Sequence, residues 1–206
     1  MRSRTMATAM AAVALVFAGG AAAQARGTWV SFAPEQTAVS GGGGVADFVG
    51  PTMRANTRVG ADWDARLTFG TRSPFAFEAG YTGMYNALAS TSGGVAPYLV
   101  QSSLDAAVRI NLLPWRVEPF IFGGVGYNHV DVVNRDQDPA MAAKLRESDD
   151  QLMVPTGAGV AAYLTRHTAV DARFTYRSIF HDNLLIDNPG ARQDSYTVAA
   201  RVGYTF

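Results

Sequence analysis

Charged side chains recur at every second position in several segments of this chain, between apolar neighbours. Asp62, Asp64 and Arg66, for example, are separated by Trp63 and Ala65. If such residues face one another, carboxylates and guanidinium groups can pair through charge-assisted, two-pronged hydrogen bonds. Because unpaired ions removed from water are costly, we expect a salt-bridged plug, with a narrow or gated ion path as the alternative. The set comprises Arg58, Asp62, Asp64, Arg66, Glu78, Asp105, Arg109, Asp171, Arg173, Arg177 and Arg201.

These side chains can meet only if the segments that carry them are neighbouring strands. Alternation of apolar and polar residues predicts eight strands, near 27–33, 57–70, 74–88, 98–112, 117–131, 150–164, 168–180 and 196–206. Long and short connections alternate strictly between them. Such alternation predicts an all-β, eight-stranded, antiparallel, up-and-down transmembrane β-barrel, with long extracellular loops and short periplasmic turns.

Three segments interrupt the pattern. Gly41 to Gly44 fall in 34–56, which we predict to be a surface loop. In 117–131, the apolar residues Phe120 and Phe122 are even-numbered, whereas Val125 and Tyr127 are odd-numbered. A regular strand would place the two pairs on opposite faces, and a glycine bulge between them would explain the change. Pro155 in 150–164 also indicates a bulge.

Aromatic residues indicate which face of the strands is outside. One group lies near the short turns and another near the long loops, with valine, leucine and alanine between them. Two aromatic belts match the two interfaces of a bilayer, whereas a soluble barrel has no reason to band its aromatics. The predicted girdle is Phe69, Phe75, Phe77, Trp115 and Phe120 near the turns, and Tyr85, Tyr98, Phe180 and Tyr196 near the loops.

The composition narrows the function. The 206 residues include no cysteine, which excludes disulfides and thiolate metal sites. The formal net charge of zero argues against a nucleic-acid partner. We expect no metal and no other cofactor.

The N-terminus is predicted to be a secretory signal peptide over residues 1–25. Arg2 and Arg4 precede an apolar, alanine-rich stretch, and small residues follow. Cleavage after Ala23 or after Ala25 satisfies the small-residue requirement, and residues 26–206 would form the barrel domain.

Three stretches, in this order, resemble the OmpA-like outer-membrane β-barrel family of Gram-negative bacteria. They are PFAFEAGY at 74–81, VEPFIFGGVGY at 117–127 and RVGYTF at 201–206. The resemblance covers essentially the whole mature chain. It implies insertion by the barrel-assembly machinery, with Tyr204 and Phe206 in the terminal assembly signal. It also implies contact with outer-membrane lipid and lipopolysaccharide.

An enzyme and a metal site are the remaining alternatives. Resemblance to the small barrels that deacylate or acylate lipid A would need a His–Ser pair at the outer rim. Asn183 stands where that serine would follow His181. The acidic residues of 136–150 match no EF-hand spacing, and we expect a solvated face there, with a short helix starting at Asp138 and Pro139.

The sequence therefore predicts a monomeric, non-enzymatic, porin-like cell-envelope protein of the outer membrane. Its role would be structural or would lie in surface interaction. A narrow channel for ions or small hydrophobic molecules is the alternative, and a lipid A-modifying enzyme is a third hypothesis.

Overall fold

The computed structural model describes residues 36–88, 96–113, 115–137, 143, 145–180, 184 and 193–206. Eight antiparallel strands follow one another around a closed barrel, in which β8 pairs with β1. The predicted fold class is thus confirmed. The strands are β1 Thr37–Phe48, β2 Gly60–Phe69, β3 Phe75–Ala87, β4 Tyr98–Asn111, β5 Val117–Val133, β6 Ser148–Tyr163, β7 Thr168–Phe180 and β8 Ser195–Thr205.

The connections divide the barrel into two ends. The connections 49–59, 88–97, 134–147 and 181–194 join the strands at what we call the long-loop end. Residues 70–74, 112–116 and 164–167 form the short-turn end. Helix α1 (Pro51–Asn56) lies in the first long connection. Among the described residues, no helix is long and apolar enough to cross a bilayer.

The first strand lies where we predicted a loop. β1 contains Gly41 to Gly44 and pairs along its length with β2 and β8, whereas the predicted strand 27–33 lies outside the described residues. Glycine runs give no alternation and weaken strands, so the pattern could not reveal β1. The close neighbours explain the glycines. A Cβ on Gly42 would lie 2.1 Å from the Ala200 carbonyl oxygen and 2.6 Å from Arg201 Cγ.

The predicted bulge in β5 is absent. Its pairing with β4 runs without a shift from Asn111 opposite Phe120 to Tyr98 opposite Val133. Even-numbered residues therefore face inward throughout β5. The sequence pattern was ambiguous because the glycines at 123, 124 and 126 have no side chains that would indicate which residues face inward.

The predicted bulge at Pro155 is absent too. The β6–β7 register passes unbroken through the pair Pro155–Arg177. On the other side, the β5–β6 pairs stop at Gly123–Thr156 and resume at Gly126–Met153. Proline has no N–H to donate, so it leaves this local gap in the hydrogen bonds between β5 and β6.

Alternate residues face opposite sides of the barrel wall, as the strand pattern predicted. On β4, Asp105 and Arg109 are buried, while Leu104 and Val108 point outward with exposed fractions of 61% and 42%. The wall is apolar outside and polar inside. This arrangement brings charged side chains from different strands into one narrow lumen.

Candidate functional site: the charged lumen

Glu78 on β3 is the centre of the ionic network in the lumen. Its carboxylate accepts a hydrogen bond from Arg173 of β7 and lies 3.6 Å from Arg66 of β2 and 3.7 Å from Arg109 of β4. All four side chains are buried. One carboxylate thus links guanidinium groups from three other strands across the barrel.

Three further ion pairs lie in the lumen, and the first shares Arg66 with the network around Glu78. Arg66 donates to both carboxylate oxygens of Asp105, at 2.8 and 3.3 Å. Arg201 donates to Asp171 at 2.6 and 3.0 Å, and to Asp64 at 3.1 Å. Arg201 therefore ties β8 to β7 and to β2. These contacts bring eight of the eleven predicted lumen residues into ion pairs.

Phe120 belongs to the lumen and not to the outer aromatic girdle, so that prediction was wrong. Its side chain is 1% exposed and lies beside the inward-facing Phe122. The guanidinium of Arg109 lies 3.8 Å from the Phe120 ring centroid, and that of Arg173 lies 3.8 Å from the Phe122 centroid. Aromatic faces stabilise cations at such distances. The two rings therefore stabilise two of the arginines that pair with Glu78.

Glu118 is a lumen residue that the sequence reasoning missed. It accepts hydrogen bonds from Arg109 at 2.9 Å and from the Tyr163 hydroxyl at 3.2 Å. Arg72 then stacks over the Tyr163 ring, 4.4 Å from its centroid, at the short-turn end. The even parity that Glu118 shares with Phe120 would have identified it, had β5 been predicted without a bulge.

Three predicted lumen residues stand apart from the ion pairs. Arg177 is buried and donates to Thr197 at 3.1 Å, but its Nε and Asp62 Oδ1 lack a hydrogen-bond partner within the described part of the chain. Arg58 is exposed in the connection before β2, so its assignment to the lumen was wrong. Since β2 begins at Gly60, the alternation does not extend to Arg58.

Towards the long-loop end, the lumen holds mainly neutral polar side chains, with Asp149 bonded to Gln151. Asn128 donates to Gln101 at 3.3 Å and to Gln151 at 3.0 Å, and it accepts from Ser103 at 2.7 Å. Above this amide layer lies an apolar plug, which includes residues from the connections. It consists of Phe48, Met53, Leu88, Leu99, Val130, Val132, Leu145 and Leu184.

The remaining girdle residues lie on the outer surface in two groups. The group at the short-turn end is largely exposed, as are Tyr85 and Phe180 near the long loops, while Tyr98 and Tyr196 are half-buried. The short-turn group is Phe69, Phe75, Phe77 and Trp115, and the exposed Tyr204 and Phe206 of the terminal signal lie at the same end.

The last residues close the barrel at the short-turn end. The Phe206 N–H donates to the Thr37 carbonyl at 2.9 Å. Its ring meets Tyr204 edge to face at 5.3 Å, and Tyr204 stacks on His167 at 5.6 Å. The proposed assembly signal is thus an ordered, outward aromatic corner.

The histidines provide no nucleophile-and-base pair among the described residues. His181 and Asn183 lie outside these residues. His129 faces outward with Ser102 opposite it on β4, but its Nδ1 contacts Asp150 at 2.5 Å and its Nε2 contacts Asp131 at 3.3 Å. With both ring nitrogens facing carboxylates, no lone pair is directed at the serine to serve as a base.

The described acidic residues of 136–150 do not all converge on one point: Asp136 and Glu147 line one cavity, and Asp149 and Asp150 lie elsewhere. Asp149 accepts a hydrogen bond from Gln151 in the lumen, whereas the neighbouring Asp150 faces outward. The solvated acidic face that we predicted there is therefore divided between two sides of the wall. The helix predicted at Asp138 falls outside the described residues.

Comparison with known proteins identifies the class. The family model for the outer membrane protein beta-barrel domain matches residues 11–206. This chain therefore belongs to that family of outer-membrane barrels. No curated protein sequence matches it.

Solved structures share the same fold at low sequence identity. Neisserial surface protein A is 14% identical with a TM-score of 0.58, covering 82% of this chain and 97% of that one. Ail, the attachment invasion locus protein of Yersinia pestis, is 12% identical with a TM-score of 0.53, covering 84% and 100%. OprG from Pseudomonas aeruginosa is 13% identical with a TM-score of 0.50, covering 84% and 96%.

Proposed function

We propose that this chain is a non-enzymatic outer-membrane protein whose barrel is a closed scaffold and whose long loops act at the cell surface. The lumen supports this role because three successive layers fill it: the ionic network around Glu78, the amide layer around Asn128, and the apolar plug. An eight-stranded barrel is just wide enough for its own side chains. Such a barrel holds loops in place rather than carrying solutes.

We infer the orientation of the barrel in the membrane from the unequal lengths of the connections at its two ends. Outer-membrane barrels place long loops outside the cell and short turns in the periplasm. We place the connections 49–59, 88–97, 134–147 and 181–194 outside accordingly. Loops held by a rigid scaffold are common sites of binding, and the fold is shared with a protein named for attachment and invasion. We infer a role in surface contact on these grounds, and we expect the barrel to act as a monomer.

Binding to host-cell surfaces tests the role of the loops. A strain that produces the protein should attach to cultured cells or matrix proteins, and replacing 134–147 with a short glycine–serine turn should abolish attachment. Replacing the short turn 164–167 in the same way is the matched control and should leave attachment intact. Equal attachment by all strains, with comparable barrel in the outer membrane, would contradict a surface role.

A narrow ion path is the second candidate function. It is favoured by the buried polar atoms Asp62 Oδ1, Asp64 Oδ1 and Arg177 Nε, which have no partner in the described lumen. Liposome flux distinguishes the two functions. The closed scaffold predicts ion leakage no faster than from empty liposomes, while a channel predicts rapid leakage from the wild-type barrel.

We also propose that residues 1–25 are removed on export, and that the aromatic C-terminus directs insertion by the assembly machinery. N-terminal mass determination of the mature protein would decide between cleavage after Ala23 and after Ala25. Deleting Phe206 should reduce the folded, heat-modifiable form in outer membranes while export continues. Phe75→Ala, which alters another exposed aromatic at the same end, is the control. A normal heat-modifiable barrel in the deletion would contradict the signal.

A further inference from the structure

Four polar side chains form a cluster on the outer surface of the barrel, where β5 and β6 reach the long-loop end. Tyr127, His129 and Asp131 occupy alternate positions of β5, and Asp150 lies opposite His129 on β6. Tyr127 donates to Asp150 Oδ1 at 2.5 Å. We call this group the rim cluster. The connection 134–147 leaves and re-enters the wall next to it.

The contacts of the imidazole define its protonation state. Nδ1 lies 2.5 Å from Asp150 Oδ1, and Nε2 lies 3.3 Å from Asp131 Oδ1. A carboxylate only accepts hydrogen bonds, whereas a neutral imidazole has one N–H and one lone pair. Only the imidazolium, with two N–H donors, satisfies both contacts at once. In this arrangement His129 joins the two strands at the root of the connection.

Loss of that proton affects the two contacts unequally. Asp150 keeps the shorter contact to the ring and the hydrogen bond from Tyr127. Asp131 has the longer contact, and no other hydrogen bond to its carboxylate is present among the described residues. Deprotonation therefore leaves one carboxylate facing the imidazole lone pair, and Asp131 is the one that is released.

Asp131 also borders a cavity of about 530 Å³ at the root of the connection. The cavity is lined from the connection side by Asn134, Arg135, Asp136 and Glu147. A released Asp131 carboxylate would thus sit beside two further acids and one arginine. Its position affects how the residues that follow β5 pack against those that precede β6.

We propose that His129 is a proton-operated clasp on the Asp131 carboxylate: the charged imidazole pairs with Asp131 beside the described root of the connection (134–137 and 145–147), and the neutral imidazole releases it to repel Asp136 and Glu147, which loosens that root. Imidazole is the side chain whose ordinary titration falls between about pH 5 and pH 8. The charged groups around it are Asp131 on its own strand and Asp150 on β6, with the phenol of Tyr127 beside them. From β4 it faces Ser102, which carries no charge. This inference rests on the proposed surface role of the loops, which the clasp would make dependent on pH.

Amide hydrogen exchange of the full barrel in lipid nanodiscs tests the clasp. Protection of the amides at 132–137 and 145–147, corrected for the intrinsic effect of pH on exchange, should fall by about threefold between acidic and mildly alkaline pH, as suits an exposed pair. His129→Gln, which cannot become a cation, should show low protection at every pH. Asp131→Asn, which removes the charge that is released, should lose most of the pH dependence.

His167→Gln is the matched control. This histidine lies at the short-turn end, 3.0 Å from the Thr205 carbonyl and away from the connection, so its replacement should leave the pH dependence intact. Heat-modified mobility on gels confirms that each variant is folded. Nitrogen-15 NMR of the His129 ring should show both nitrogens protonated at the acidic end.

Two results would overturn the clasp. One is protection that stays constant while NMR shows the His129 ring losing its proton. The other is an unchanged pH dependence in His129→Gln. Neither result depends on attachment to cells, so the clasp can fail while the surface role stands. Conversely, a barrel that binds no cell surface can still show the predicted exchange.

Discussion

Different interactions fill the two halves of the lumen. Near the short turns, charged groups from four strands pair around Glu78 and contact two aromatic rings. Near the long loops, the lumen is closed by an amide layer and an apolar plug that includes Met53 and Leu145 from the connections. One barrel wall therefore supports a network of ion pairs at one end and a small hydrophobic core at the other.

The two halves should differ in how well they tolerate substitutions. An ion network depends on every partner, because a charge left alone in the lumen retains its full desolvation cost. An apolar plug loses stability in proportion to the volume that is removed. We therefore expect the ionic half to be damaged most by removal of a single central charge, and the apolar half to respond gradually.

The largest effect is expected at the centre of the ionic half. Glu78→Ala leaves Arg66, Arg109 and Arg173 without their shared carboxylate. We expect a loss of roughly 3–5 kcal/mol in the free energy of unfolding, measured by urea titration in lipid vesicles. Glu78→Gln keeps the size of the side chain and isolates the charge. A loss under about 1 kcal/mol in both variants would show that the network does not hold the barrel together.

Leu99→Ala tests the apolar half. Leu99 is fully buried in the plug, and its truncation should cost roughly 2–5 kcal/mol through lost burial and the cavity left behind. Leu99→Met nearly conserves the volume and serves as the control, with an expected loss below about 1.5 kcal/mol. Similar small losses for both would mean that the plug is not a packed core.

Leu104→Arg compares the inside of the wall with the outside. Leu104 points outward in the middle of β4, and an arginine near the bilayer midplane should cost roughly 2–4 kcal/mol. Val108→Arg, four residues further along the same face, should behave alike. The free energy of unfolding is measured by urea titration in lipid. If neither variant lowered it, the strand would face the other way.

The smallest effect is expected at Asp62, which is buried in the lumen but has no ion pair within 4 Å among the described residues. Asp62→Asn should change the free energy of unfolding by about 1 kcal/mol or less. Asp105→Asn, which breaks the pair with Arg66, should cost clearly more. An equal loss in both would show that charge pairing does not distinguish these carboxylates.

Strand alternation was sufficient to predict most of the barrel. It gave the facing of β2, β4, β7 and β8, because their charged and apolar side chains differ at every step. It failed at β1, where four glycines carry no alternation, and pairing with both neighbours makes the strand. It also failed at Phe120, since an inward phenylalanine looks like an outward one until Arg109 is known to stack on it.

The sequence predicted the members of the ion network better than its connections. Parity places Glu78 and three arginines inside, but only the stagger between strands decides which of them meet. The apolar plug was not predicted at all. Its members include Met53, Leu145 and Leu184 from the connections, where no periodic pattern applies. The same limit hid the rim cluster, because it depends on the register of β5 against β6.

Single-channel recording in planar bilayers tests the central claim, the closed lumen, most directly. The wild-type barrel should show no steady open level at moderate voltage and neutral pH, whereas Glu78→Ala combined with Leu99→Ala, which weakens both closures, should show openings. A steady, reproducible open level in the wild type would contradict the closed scaffold and establish a channel in its place.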